Sequence, residues 1–453
     1  MITLTINNRI AVSLSELPPP VVEQLQERLT FPNPVWQENE KRGYSNWKVP
    51  ETLRLYRLNG GRLFMPRGFI GQALGLLQEA GLTWIIKDQR RLLPEVELQF
   101  TGELKDFQCD AADTIYFRDF GTLAAPTGAG KTVIALAIIA ARRQPTLIVV
   151  HSKELLHQWR ERIETFLEIP AAAIGVIGDG QRTVGKKITV ALVQTLYKCA
   201  SEVVPRIGFL VVDECHRCPS RTFTEAVTAF DSAYMLGLSA TPWRRDGLSR
   251  LIYWHLGSKV YEIDRGALIE DGHILAAEVI FRKTAYEPIS DPSEEYSRML
   301  SELTADPERN ALIVRDVVQE ADGEGVCLVL SDRKAHCETL AGMLAHSGLP
   351  VSVLTGDLSM KKRQEIIGAV NGGHVKVLLA TGQLIGEGFD CAGLSTLFLA
   401  TPIRFSGRLL QYLGRVLRPA PGKDKAKVYD YLDVKVGVLV NAARNRARIY
   451  QQS

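Results

Sequence analysis

The sequence has no apolar run long enough to cross a bilayer. Its longest, Val133 to Ala141, spans nine residues, under half of the roughly 20 that a membrane helix requires. The N-terminus lacks a basic stretch followed by an apolar one, the pattern of an export signal. A membrane role is thereby excluded, and a cytoplasmic location, in a bacterial or phage-infected host cell, is expected. Nor is there an excess of charge of one sign: the net charge is +3 over 453 residues, so any basic surface must be local. The seven cysteines are odd in number and scattered from Cys109 to Cys391, which does not fit a disulfide framework and leaves reduced thiols as the default. Cys215-His216-Arg217-Cys218 invites a zinc reading, but no second cysteine pair or histidine pair at finger spacing completes four ligands.

What is present is ordinary in bulk, with 46% hydrophobic and 23% charged residues, and the length suggests about three domains. From Lys131 onward short β-rich runs alternate with helical stretches, the pattern of parallel sheets wrapped by helices. Leu147–Val150, Ile188–Leu192, Phe209–Val212 and Met235–Leu238 read as buried strands of one sheet. Gly325–Leu330, Val351–Leu354, Val375–Ala380 and Thr396–Ala400 form a second series, separated by helical segments such as Lys334–His346 and Lys361–Val370. The fold class expected is α/β, with two parallel-sheet lobes over residues 101–268 and 269–453 and a boundary near Asp264 to Gly272. Residues 284–307, rich in Asp, Glu, Ser and Pro, read as an exposed excursion. Residues 1–100 read as a small α+β accessory domain, with a hairpin around Asn7-Asn8 and a helix from the proline run to about Leu29.

Ala125-Pro126-Thr127-Gly128-Ala129-Gly130-Lys131-Thr132 lies between a short apolar run and a helix-forming one. This is the spacing of a triphosphate-binding loop, with Ala125 at the place of the first glycine. Gly128 and Gly130 let the backbone turn so that the N–H groups around Thr127 and Ala129 face a phosphate, and the following helix dipole adds favourable potential. Lys131 can reach the β and γ oxygens, and the Thr132 hydroxyl can ligate magnesium. A plain turn before a core helix is the competing reading; Gly-x-Gly-Lys-Thr opening a helix argues against it. Further on, Leu210-Val211-Val212-Asp213-Glu214-Cys215-His216 is an apolar strand ending in two acids, the position from which carboxylates reach the mouth of a parallel sheet. Asp213 suits the magnesium shell, and Glu214 can orient and deprotonate an attacking water.

Asp213-Glu214-Cys215-His216, followed by Ser239-Ala240-Thr241-Pro242 and by Gln411-Tyr412-Leu413-Gly414-Arg415-Val416-Leu417-Arg418, resembles the ordered motif set of superfamily 2 helicases, whose phosphate loop also accommodates the alanine at 125. Within that superfamily the chain is similar to the XPB-like group and to phage branch-migration helicases of the UvsW kind. The resemblance covers about residues 101 to 435 and implies two RecA-like lobes. It also implies ATP and magnesium as cofactors and an ATP-dependent DNA helicase or translocase. It carries Gln108 over as an adenine contact, and Gly388 and Asp390 as residues near the nucleotide. His216, Ser239 and Thr241 are carried over as coupling residues, and Gln411, Arg415 and Arg418 as γ-phosphate groups of the second lobe. Arg415 and Arg418 lie three apart and share a helix face. An arginine finger is worth about 10³ to 10⁵ in rate, roughly 4 to 7 kcal/mol. Trp243-Arg244-Arg245-Asp246 departs from the group's Arg-Glu-Asp motif at Arg245.

Strand contacts are expected at Ser152, Lys153, Thr195, Arg333 and Thr381, small polar or basic groups after strand ends that bind phosphate without reading bases; each reads equally as a helix cap. Between Lys41 and Arg67 seven basic residues, Arg54 and Arg57 among them, stand against the single acid Glu51 and interleave with Tyr44, Trp47, Tyr56 and Phe64. Cations for phosphate beside rings for bases suit nucleic acid, while a solvated face over an aromatic core explains the same pattern. The partner expected is forked, branched or single-stranded DNA, bound by a monomer; 3′-to-5′ movement is what the family resemblance implies. The alternatives are a double-strand translocase that does not unwind and an RNA-directed helicase or ATP-gated clamp.

Overall fold

The protein is seen in a computed structural model that describes residues 1–217, 221–240, 249–323, 325–382, 391, 393–403, 409, 412–414, 416–417, 419, 423 and 425–451. The chain forms two compact units, Met1–Ala125 with Gly130–Ile263, and Pro126–Ala129 with Asp264–Ser453. Among the described residues no helix is long and apolar enough to cross a membrane.

The first unit is built on an eight-stranded sheet in the order Gln181–Arg182, Gly175–Gly178, Ile188–Leu192, Thr146–Val150, Phe209–Val212, Tyr234–Ser239, Phe120–Ala124, Lys259–Glu262. All neighbours pair in parallel except the Gln181–Arg182 edge. The central strands are continuous β-branched and leucine runs and are wholly buried, as strands covered on both faces must be. Parallel pairing sets Ser239 beside Ala124 and Leu192 beside Val150. The loops that follow these strands therefore emerge along one carboxyl edge, where ligands of open α/β sheets bind.

The N-terminal residues of the same unit form a smaller sheet in the order Arg57–Asn59, Arg62–Pro66, Arg9–Ser13, Ile2–Ile6, Trp84–Asp88. The hairpin turns at Asn7-Asn8, with Ile6 opposite Ile10. Alternating inward residues (Ile2, Leu4, Ile10, Val12, Leu63, Met65) pack against the helices Pro19–Arg28 and Ile70–Glu79, and the core continues into Leu251 and Trp254. Those two belong to the helix Ser249–Leu256 beside the large sheet. Gly68 is required at this joint: a Cβ there would sit 2.2 Å from the Tyr253 carbonyl oxygen. Arg67 donates to the carbonyls of Ser232 (2.6 Å) and Asn7 (3.3 Å), and the Asn8 amide donates to the Thr228 carbonyl at 2.9 Å.

The second unit holds a six-stranded, wholly parallel sheet in the order Ala277–Thr284, Ala426–Asp433, Leu394–Leu399, Val326–Ser331, Val377–Thr381, Val351–Leu354. Two buried arginines are each held by a buried carboxylate: Arg309 Nε donates to Asp433 Oδ1 at 2.8 Å, and Arg446 Nε to Asp430 Oδ2 at 2.8 Å. Additional hydrogen bonds from Thr284 to Asp433 and from Tyr450 to Asp430 satisfy the remaining lone pairs. The expectation of an exposed excursion over 284–307 holds only in part. Tyr296–Ala305 is a helix that buries Met299, Leu300 and Leu303 against Tyr286, Val436 and Leu439. Its apolar positions recur at i, i+1 and i+4, a short stripe that the surrounding Asp, Glu and Ser obscure.

His336 is buried in this unit, with Nδ1 3.0 Å from Ser331 Oγ and Nε2 2.9 Å from Asn310 Oδ1. Burial, aided by Arg309, pushes its pKa down to about 3. The unfolded chain therefore takes up a proton near pH 6.5 that the folded chain refuses, and stability falls as pH drops from about 6.5 toward about 3. Urea unfolding of the wild type should lose up to about 1.4 kcal/mol per pH unit more, over that window, than His336→Gln; parallel pH profiles would show that His336 does not titrate on unfolding.

Candidate nucleotide site and nucleic-acid surfaces

The phosphate-loop segment follows the strand Phe120–Ala124, and its first residue is fixed to the neighbouring strand by Ala125 N donating to the Ser239 carbonyl at 3.0 Å. Gly128 (φ +99°) and Gly130 (φ +80°) take left-handed backbone, whereas Ala125 does not. An alanine at the first position is therefore unstrained. Gly130 is doubly constrained, since a Cβ there would lie 2.4 Å from Gln108 Nε2. Gln108 itself is buried on the helix Asp106–Tyr116, its Oε1 accepting from Lys105 N at 3.0 Å. Lys131 opens the helix Lys131–Arg142 and its Nζ donates to the Ala125 carbonyl at 3.1 Å.

Asp213 and Glu214 follow the strand Phe209–Val212 at the same carboxyl edge. Asp213 is 7% exposed. Its Oδ2 accepts from the Trp159 indole N–H at 2.8 Å and its Oδ1 from Glu214 N at 2.9 Å. Glu214 has φ +48°, a left-handed conformation that costs a non-glycine residue about 1–3 kcal/mol. The two carboxyls are driven apart electrostatically. Burial, with Glu214 adjacent, raises the pKa of Asp213. Burial acts on Glu214 in the same direction, but the contact with His216 and the charge of Lys131 outweigh it and hold Glu214 below the usual carboxylate range. His216 Nδ1 lies 3.1 Å from Glu214 Oε2 and 3.2 Å from Ser239 Oγ, so one ring links the acid pair to the end of the next strand. Trp159 and His151, which also lowers Glu214, carry no motif signal. Trp159 reads only as an apolar position of the helix Lys153–Leu167, because its partner is 54 residues away.

A hard cation fits here. Asp213 is a buried carboxylate with raised proton affinity, and it forms no ion pair among the described residues. Carboxylate and hydroxyl oxygens are the donors that magnesium accepts alongside its own waters; Asp213 supplies a carboxylate here, and Thr132 stands in the first turn of the helix Lys131–Arg142.

Thr241, Gly388, Asp390, Gln411, Arg415 and Arg418, together with Trp243 to Asp246, lie outside the described residues. Of the expected strand contacts, Ser152 caps the helix Lys153–Leu167 by accepting from Leu155 N at 3.3 Å. Lys153 pairs with Asp179 at 2.6 Å. Arg333 donates to Ser297 Oγ at 2.9 Å and to its carbonyl. Thr195 lies in the short helix Val193–Leu196 after one strand, and Thr381 ends another. Arg54 and Arg57 are exposed, on the strands Thr52–Arg54 and Arg57–Asn59. The aromatics beside them divide: Trp47 is 82% and Tyr44 62% exposed, while Tyr56 and Phe64 pack against the N-terminal core or the neighbouring Arg9.

Residues 89–244 match the family described as Type III restriction enzyme, res subunit, and residues 309–420 match the helicase conserved C-terminal domain. The chain is 28% identical to the DNA 3′-5′ translocase XPB2 of Sulfurisphaera tokodaii over 71% of this chain and 80% of that protein. It is 24% identical to Probable helicase D10 of Escherichia phage T5 over 84% and 82%. Its fold is similar to that of S. cerevisiae Dbp5 bound to RNA and ADP BeF3, with a TM-score of 0.56 at 15% identity over 78% of this chain and 88% of that one. Two parallel-sheet lobes, Lys131 beside an Asp-Glu strand end and a histidine that joins this pair to the next strand agree with both matches: the chain carries the paired domains of a superfamily 2 helicase and is similar to the XPB proteins.

Proposed function

We propose that the chain is an ATP-dependent 3′-to-5′ DNA translocase that unwinds or branch-migrates forked and four-way DNA, acting as a monomer in recombination, replication or repair. The observation that carries the reading is the buried pair Asp213 and Glu214 beside Lys131, with His216 linking Glu214 to Ser239. Lys131, released from the Ala125 carbonyl, neutralises phosphate oxygens, and Gln108 contacts the adenine. Thr132 and Asp213 hold magnesium, which supplies charge neutralisation when bound. Glu214, kept ionised, orients a water and accepts its proton. Gln411, Arg415 and Arg418 stabilise charge at the γ-phosphate, and Gly388 and Asp390 approach the nucleotide. His216, Ser239 and Thr241 pass the state of this site to the nucleic-acid residues Ser152, Lys153, Thr195, Arg333 and Thr381. Arg54 and Arg57 extend the DNA contact onto the N-terminal module.

A second reading, movement along duplex without strand separation, is favoured by Arg245 at the acid position of the motif in the XPB-like group. Strand-displacement and triplex-displacement assays on one preparation separate the two: displacement of the triplex strand alone supports the second.

Three outcomes are expected. Glu214→Gln should bind ATP yet hydrolyse it about 10² to 10⁴ times more slowly; wild-type turnover would remove Glu214 from its role. Trp159→Phe keeps the ring and deletes the donor that lowers the pKa of Asp213. The acid limb of its kcat profile should therefore move to higher pH, with about 1–3 kcal/mol lost from unfolding, and a superimposable profile would contradict the assignment. Arg54→Gln with Arg57→Gln should weaken fork binding and lower the slope of log affinity against log salt by about one per lost phosphate contact. An unchanged slope would take both arginines out of the interface.

A further inference from the structure

Between the N-terminal sheet and the segment 224–255 lies a cavity of about 340 Å³, large enough for a small ligand. Four arginines line it, Arg9, Arg54, Arg57 and Arg67, and none of its described lining residues is acidic. The nearby carboxylates are engaged elsewhere: Asp88 and Asp119 hold Arg90, and Asp231 holds Arg91. Arg9, Arg54 and Arg57 form no ion pair among the described residues. Arg67 is only 2% exposed; its Nη1 serves the Ser232 and Asn7 carbonyls, and its Nη2 has no hydrogen-bond partner. Burial, with Arg90 close by, pushes the Arg67 guanidinium down to about 9 against the opposing charges of Asp231, Asp88 and Asp119. From the other side of the cavity comes His255, 8% exposed, with Nδ1 unpartnered. Burial lowers it to about 4, so near neutral pH its ring is uncharged. Tyr56 and Phe64 add aromatic surface.

A buried guanidinium nitrogen and a buried imidazole nitrogen without hydrogen-bond partners are costly unless a ligand satisfies them. The complement of this set is an anion that accepts several guanidinium bonds, joined to a flat ring that stacks and hydrogen-bonds. We infer that this cavity is a second nucleotide site, separate from the triphosphate loop, which takes one nucleoside monophosphate unit with its phosphate on the arginines and its base toward Tyr56, Phe64 and His255. The inference rests on the assignment of Arg54 and Arg57 to nucleic acid and narrows it to a single residue of the polymer or to the free mononucleotide.

Full-length protein carrying Lys131→Ala, which silences the triphosphate loop, is titrated calorimetrically with 5′-dAMP, deoxyadenosine and inorganic phosphate. The expected result is one saturable site for 5′-dAMP, at least about tenfold tighter than for either fragment, since charged hydrogen bonds and stacking act together. Adding the surface changes Arg9→Ala and Arg57→Ala should weaken it by about tenfold or more. His255→Ala, with its unfolding midpoint checked, should weaken it while leaving inorganic phosphate binding unaltered. Absence of saturable dAMP binding, or binding indifferent to the arginine changes, overturns the inference. Competition by a short 5′-phosphorylated strand, but not by its 5′-hydroxyl counterpart, supports the pocket with a strand end as its source. Failure of both strands to displace dAMP supports it with the free nucleotide. Failure of the broader DNA assignment reads differently, as a fork-binding salt slope that the Arg54 and Arg57 changes leave unaltered.

Discussion

Two adjacent carboxylates buried at the end of a central parallel strand are the constraint around which the first unit is arranged. Left alone they would repel each other and resist desolvation, and one or both would hold a proton. The fold separates their fates. Asp213 accepts from the Trp159 indole and from the next backbone N–H and is inclined to protonation by burial and by Glu214. Glu214 turns away through a left-handed φ into the positive surroundings of His216, Lys131 and His151. Parallel register makes this possible, because it brings Ser239 and Ala124 to the same edge as Val212. Lys131, the acids and the linking histidine therefore meet without long connecting segments.

The second unit buries its charges differently. Arg309 with Asp433 and Arg446 with Asp430 are paired one to one, with hydroxyls filling the spare lone pairs. Such closed sets specify a single packing of helix on sheet, and removal of either member would leave an uncompensated charge. Asp213 and Arg67, by contrast, hydrogen-bond to neutral groups and form no ion pair among the described residues.

Much of this was legible in the residues. Ile188–Leu192 and Val351–Leu354 are strands with the bounds read from the sequence, because short β-branched runs flanked by polar turns leave little alternative. The hairpin at Asn7-Asn8 and the helix opening at Lys131 were equally plain. What escaped was long-range. Nothing local in Trp159 points to Asp213, and nothing in Arg67 says that its chain will end buried against the Ser232 carbonyl. The helix Tyr296–Ala305 was hidden because the three residues it buries, Met299, Leu300 and Leu303, supply too short a stripe. Lys153 and Arg333 are basic residues at strand ends as expected, but each is bonded within the protein, to Asp179 and Ser297. Spacing alone cannot distinguish a cation that awaits phosphate from one already occupied.

The joint that seats the N-terminal sheet on the large one includes Trp254 and Leu251 in an apolar core, the close backbone approach at Gly68, and arginine and asparagine bonds to main-chain carbonyls. Such contacts, unlike pairs of opposite charge, are barely screened by dissolved ions. Brine strong enough to screen the exposed guanidiniums would leave these carbonyl and apolar contacts intact, so ionic strength can quench the charged face of the accessory module without loosening its mooring.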